Sequence, residues 1–414
     1  MTLGALALLA LALALQTGTR DPTPPPRFPG HVHAGDGPAA PLPRIVPPPE
    51  IADEEDIAPP PPEADSIGPA MGALGWWKVN THAHASTAGA FTARDDGLLP
   101  VSYWLDRYAV KGFDLLFFTP HSHKNPGAAG RDRWLKTREA LPKMKAPLVV
   151  AVGAEVGVPK GPAWRAFAFA DFVGNVHHHL NHIVVLGAKE FIGPGLGAKE
   201  VATLAHEGGG VAILAHPEIW EPGYWDAPET GIALDGLEVY NGLLMSVTDR
   251  DNAPLYRHAV SYGGLGMKLA AIGGSDTHKK KAAASTATWF AAVSPDPDLF
   301  VDAVRARKTF ATTGFDDLRV ECDKMGEVRH EPEVTLSIQL DRVVDTIVLW
   351  REESEAFTWV NVASAEFSET LTAAAAYSWE VRDGDARGYS SAVWYEPLRA
   401  EAGGAGHHAE RAAP

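Results

Sequence analysis

Trp76-Trp77-Lys78-Val79-Asn80-Thr81-His82-Ala83-His84 joins an apolar run to two histidines one residue apart. Side chains alternate along a strand with period two, so His82 and His84 project to one side where the run stops. Two imidazoles on one face at that spacing can hold one metal ion. The same arrangement, an apolar run marked at its end by His, Glu or Asp, then recurs. It reads Phe117-Phe118-Thr119-Pro120-His121-Ser122-His123, then Val149-Val150-Ala151-Val152-Gly153-Ala154-Glu155, then His182-Ile183-Val184-Val185-Leu186-Gly187. Val211-Ala212-Ile213-Leu214-Ala215-His216-Pro217 and Ala271-Ile272-Gly273-Gly274-Ser275-Asp276-Thr277-His278 complete the series. One such site is weak evidence; the ordered set is strong.

Around these ends, residues 73–315 alternate short apolar runs with helical patterns. Strands are expected at Trp76 to Asn80, Asp114 to Thr119, Leu148 to Val152, Ile183 to Leu186, Val211 to Leu214, Gly236 to Tyr240 and Leu269 to Ile272. Helices are expected at Leu98 to Val110, Arg131 to Leu141, Ala198 to His206 and Asn252 to Tyr262. Alternation of this kind predicts parallel strands with right-handed crossovers. Metal-type residues at nearly every strand end predict a β/α barrel, whose active site gathers on one face, rather than an open doubly wound sheet.

Beyond Phe315 the pattern changes. Val334 to Leu340 alternates strictly, and further short strands follow at hairpin spacing with Asp383-Gly384 as a turn signal. A small β-sandwich over 316–398 is the expectation, with a tail over 399–414. At the other end, Leu3 to Leu15 is an apolar run too short to span a bilayer, and it fits a signal peptide over 1–20. The mature protein is then secreted or periplasmic, with no stable membrane span. Residues 21–62 hold 15 of the 33 prolines, within an expected linker over 21–72 that buries little.

The net charge of −16, from 52 acidic and 36 basic residues, excludes a nonspecific nucleic-acid binder, which must neutralise phosphates with Lys and Arg. Cys322 is the single cysteine, so neither an intrachain disulfide nor a Cys-rich zinc site is available. Gly193, Gly195 and Gly197 do not follow a strand as a dinucleotide loop requires.

His-x-His, Thr-x-His, Gly-x-Glu, His before an apolar strand, Ala-His-Pro and Gly-Ser-Asp-x-His, in that order, resemble the polymerase and histidinol phosphatase (PHP) superfamily. The resemblance runs from about Val79 to His278. Arg305-Ala306-Arg307-Lys308-Thr309-Phe310-Ala311-Thr312-Thr313-Gly314 and the sheet after it look like the carbaryl-hydrolase-like branch. The likeness implies a distorted seven-stranded barrel with two divalent metals and a third position, the ion being Zn, Mn or Fe. By that analogy His82, His84, Glu155 and Asp276 hold one metal. Glu155 bridges to a second held by His182 and His216, while His121 and His278 approach the third. Two positions depart from the pattern: Pro120 stands where the family has Asp, and Asn80 where an Asp precedes the opening His-x-His.

Other residues have smaller roles. His177, His178 and His179 lie close to His182, with His179 in reserve as a ligand. His278 or His123 is placed to protonate a leaving group. Glu238 and Asn241 close an apolar strand and are expected to line the pocket and meet substrate.

The function expected is a metal-dependent hydrolase of a small-molecule ester, using a hydroxide that bridges the metals. Phosphoesters are the superfamily default, with carboxyl esters or carbamates the alternative that the C-terminal resemblance brings. A secreted, non-catalytic binding protein on a degenerate barrel is the reading from another class; metal content distinguishes it. The oligomeric state leaves no mark in the sequence.

Overall fold

The computed structural model describes residues 74–397, apart from 87–96, 98, 160–179, 218–232, 249 and 279–284. The expected signal peptide, linker and tail lie outside the described residues, as do His177, His178 and His179. Among the described residues no helix is long and apolar enough to cross a membrane.

The aromatic and β-branched residues of β1 (Gly75–Asn80) suit a strand buried on both faces. It pairs in parallel with β2 (Leu115–Phe118), and β2 with β3 (Val149–Val152). Only Gly153 separates β3 from β4 (Ala154–Pro159), and there the chain leaves the first sheet for a second. A Cβ at Gly153 would lie 2.5 Å from the Val185 carbonyl oxygen, so only glycine fits this switch. The second sheet runs β4, β5 (Leu180–Leu186), β6 (Val211–Leu214), β7 (Gly236–Asn241) and β8 (Ala270–Gly274).

The result is mixed α/β, but not the all-parallel alternation expected. In the second sheet β5 is antiparallel to both β4 and β6, and only β6, β7 and β8 run parallel to one another. Among the described residues the two sheets do not close into one ladder; single parallel bridges, His121 to Glu155 and Ala83 to Thr277, span the gaps between them.

Helices α1 (Val101–Val110), α2 (Gly127–Ala140), α3 (Ala198–Glu207), α4 (Gly242–Thr248), α5 (Ala253–Val260) and α6 (Pro297–Arg305) connect or flank the strands. α6 begins as chemistry dictates, with the Asp296 carboxylate accepting from the N–H groups of Asp298 and Leu299 and Pro297 in the first turn. Its Phe300, Val301 and Val304 join Val79, Phe117, Val184, Leu186, Ile213 and Ile272 in one core cluster. Alternate residues of these strands thus share one inner face, and the same faces carry His182 and Glu155 beyond the apolar layer.

β9 (Thr286–Ala292) and β10 (Thr309–Thr313) extend the first sheet antiparallel from β1. β10 then pairs with β16 (Ala386–Ser390), so the C-terminal strands continue the same sheet across the expected boundary near Phe315. The long hairpin β13 (Glu333–Arg351) and β14 (Ser354–Thr370) takes in the alternating stretch around Val334, and β15 (Ala375–Asp383) turns at Gly384 into β16. The short β11 (Val320–Cys322), β12 (Val328–Arg329) and β17 (Val393–Tyr395) complete the assembly.

Candidate metal centre

The expected ligands converge. His82 and His84 follow β1, His121 follows β2, and Glu155 is the second residue of β4. His182 lies in β5 on the face of Val184 and Leu186, while His216, Asp276 and His278 follow β6 and β8. His82, His84, Glu155, His216 and Asp276 are all buried.

Three groupings emerge from the distances. His82 Nε2 and His84 Nε2 are 3.1 Å apart, and they lie 3.6 and 3.4 Å from Asp276 Oδ1. Glu155 Oε2 is 3.4 Å from the first nitrogen and 3.2 Å from the second. The other oxygen, Oε1, is 2.7 Å from His182 Nδ1 and 3.2 Å from His216 Nε2. Glu155 therefore faces two groups of nitrogens with its two oxygens, as a bridging carboxylate does. His84, His121 and His278 form the third group, and their rings stack with His84 in the middle. His121, His123 and His182 also bring one nitrogen each within 4.8 Å of one another.

Whether these residues fit cations is tested by their own geometry. Donors bound to one ion at roughly 2.1 Å sit roughly 3.0–3.4 Å from each other, close to the separations here. Glu155 Oε2 and Asp276 Oδ1 are buried among imidazole nitrogens, 2.7 Å from His121 Nδ1 and 3.2 Å from His278 Nδ1 respectively, yet neither oxygen accepts a well-directed hydrogen bond. Orphaned buried acceptors call for a charge to satisfy them.

Protonation states agree. Burial opposes charge on Glu155, yet the imidazoles of His121, His182 and His82 hold its carboxyl well below the usual carboxylate range. Burial likewise opposes charge on Asp276, and His82 and His278 more than offset it. Burial pushes His182 down to about 4, leaving a neutral imidazole. Against the burial of His82, the carboxylates of Asp276, Glu238 and Glu155 hold its pKa well above the ordinary value, so a proton occupies this place unless a cation does. Anionic carboxylates and imidazoles are the donor set of zinc, manganese or iron.

The backbone is shaped for this site. His216 and Asp276 adopt positive φ, 32° and 51°, a region non-glycine residues avoid. Each N–H is held: Asp276 N–H donates to the His82 carbonyl at 2.7 Å and His216 N–H to Glu238 Oε2 at 2.8 Å. Asn80, in the position of the family's Asp, ties two ligand-bearing ends together. Its Oδ1 accepts from Ser275 N–H at 2.9 Å and its Nδ2 donates to the His82 carbonyl at 3.1 Å.

Residues 266–309 match the family model described as PHP-associated. This stretch contains β8 and the Gly-Ser-Asp-Thr-His sequence that supplies Asp276 and His278. It supports the resemblance to the PHP superfamily, though not to the carbaryl-hydrolase-like branch. No curated protein matches the chain. Among solved structures, a Jonesia denitrificans lytic polysaccharide monooxygenase aligns at 12% identity with a TM-score of 0.15. That alignment covers 17% of this chain and 58% of the other, and it carries no argument about fold or chemistry.

Glu238 and Asn241 are both fully buried, with their polar atoms turned to ligand residues. Asn241 Nδ2 donates to Glu238 Oε2 at 2.8 Å and approaches Asp276 Oδ2 at 3.4 Å, while its Oδ1 receives Leu244 N–H at 2.8 Å. The sequence marks both as strand-end polar residues. It does not show the residues they meet, because those lie far away along the chain.

Proposed function

We propose that this chain is a divalent-metal-dependent hydrolase of phosphoric esters, exported from the cytoplasm by its N-terminal apolar run. The observation that carries the reading is the buried convergence of His82, His84, His182 and His216 on the two oxygens of Glu155. The same reading takes the two sheets as parts of a distorted seven-stranded barrel. It is supported by the single bridges between them and by the ligands' position beyond one shared apolar layer.

His82, His84, Asp276 and Glu155 would hold one cation, and Glu155, His182 and His216 a second; His121 and His278 belong to the third group. When bound, such ions acidify water and withdraw charge from a phosphoryl or carbonyl oxygen. The chain's own residues do the rest. Glu155 and Asp276 fix the ligands relative to each other. His278 is a partly exposed imidazole of the cluster, and so one that substrate can reach, whereas both ring nitrogens of His123 are buried. His278 Nδ1 lies 3.1 Å from the Asp276 carbonyl oxygen, a contact that would orient the ring so that Nε2 can hand a proton to the leaving oxygen.

The test is elemental analysis of protein purified without chelator, followed by assay against aryl phosphomonoesters and phosphodiesters, aryl carboxyl esters and carbamates. Two or more ions per chain and phosphoester cleavage that His82→Ala and His84→Ala abolish are expected. Cleavage of carboxyl esters or carbamates alone would move the chain to the other ester class. Less than one ion per chain, with no turnover, would sink the hydrolase reading in favour of a binding protein.

A further inference from the structure

Among the described residues, Glu238 is a buried carboxylate outside every group of side chains able to share an ion, and it has no solvent exposure. Three donors nevertheless converge on it. His82 Nδ1 lies 2.9 Å from Oε1, while Oε2 accepts both the His216 N–H and the Asn241 amide at 2.8 Å. Its neighbour Gly274 comes so close that a Cβ there would sit 2.4 Å from Oε1 and 2.8 Å from His82 Cβ. We propose that Glu238 is a positioning residue that couples the two principal cation positions, holding one through the His82 ring and the other through the His216 backbone.

The first contact fixes a tautomer. A carboxylate facing Nδ1 makes that nitrogen the N–H, and so turns the lone pair of Nε2 toward His84, Glu155 and Asp276. The second contact fixes a conformation. His216 is held at a φ of 32°, and its N–H bond to Glu238 anchors the turn that brings Nε2 to Glu155. The two ligands belong to different groups, yet they share one carboxylate. Charge points the same way: two divalent cations bring four positive charges, and Glu155 and Asp276 answer two of them. Glu238 supplies a third negative charge where solvent screens least.

This inference rests on the metal-centre reading, and its test separates the two. Wild type, Glu238→Gln and Glu238→Ala are stripped with chelator, checked for native fold by circular dichroism, and titrated with Zn2+ and Mn2+ by calorimetry. Glutamine keeps the shape but turns an NH2 toward one of the three donors. It is expected to weaken both binding steps about 10–100-fold while leaving the spectrum and Tm of the metal-free protein near wild type. Where Glu238→Gln does not fold, Glu238→Asp supplies the measurement, with weaker binding at both steps expected. Unchanged affinity at both steps, weakening of one step alone, or a raised KM with full metal content would overturn the coupling. A wild-type chain that takes up no ion overturns the metal centre itself, and the coupling with it.

Discussion

Lys78 shows how a single side chain is made to serve the frame beneath the converging histidines and carboxylates. It is only 2% exposed, yet it carries an ammonium group in β1. That group donates to the Lys111 carbonyl at the end of α1 (3.0 Å) and to the Asp316 carbonyl (2.8 Å), above the rings of Phe113 and Trp289. Burial pushes its pKa down to about 8, against the opposing pull of Asp316. An unfolded chain binds the proton more tightly than the folded one, so between about pH 8 and 10.5 the unfolded state holds more protons and stability rises with pH. Urea unfolding across that window should show wild type gaining on Lys78→Met by up to about 1.4 kcal/mol per pH unit. A flat difference between the two proteins would refute this account. At the same scale the side chains that converge are legible in the sequence, because His-x-His, Ala-His-Pro and Ser-Asp-x-His each sit where an apolar run stops. Glu238 was legible only as a polar strand residue; its partner His82 lies 156 positions away, and no local pattern records that contact.

At the scale of elements, β8 brings its ligands into place by having almost no side chain at its end. Gly274→Ala would push a methyl against Glu238 and the His82 Cβ. Overpacking of this kind costs about 1–3 kcal/mol, and calorimetric titration should find metal binding weakened as well. A variant with native metal affinity would show that the end of β8 yields more readily than its contacts imply. Strand positions such as Val211–Leu214 were readable from buried apolar runs bounded by turn residues. Direction was not, because a strand buried on both faces reads the same either way, and β5 proved antiparallel to its neighbours. β4 is hidden too, since a lone glycine after β3 leaves Val149 to Val158 reading as one β-rich stretch broken only by Gly153, Glu155 and Gly157. β10 carries no strand signature for the opposite reason: Thr-Phe-Ala-Thr-Thr is polar in sequence but buried in the fold. Thr309 Oγ1 donates to the Ala271 carbonyl, and Thr312 Oγ1 accepts from Trp289 Nε1, both at 2.9 Å.

At the scale of the whole molecule, the sequence shows a change of pattern near Phe315 that the hydrogen bonds do not respect. Besides the pairing of β10 with β16, Ser391 Oγ accepts from Ala271 N–H at 2.9 Å and Trp394 Nε1 donates to the Val260 carbonyl at 3.0 Å. Tyr389, Ala392 and Trp394 belong to the same core cluster as Leu214, Leu237 and Tyr256. Calorimetry of the apo protein should therefore record the described part of the chain unfolding in one transition, with ligand-bearing and C-terminal strands melting together. Two separated peaks would mean that this shared core is weaker than its burial indicates.

The continuity of that sheet also bears on how the chain can be divided. Cut after Phe315, β10 would keep β9 on one side and lose its other neighbour, baring a row of unanswered N–H and C=O groups beside fully buried side chains. Such a margin recruits strands from other copies. Production of the histidine-bearing half by itself should end in insoluble aggregate, and any soluble fragment that keeps those histidines has to carry its C-terminal strands with it.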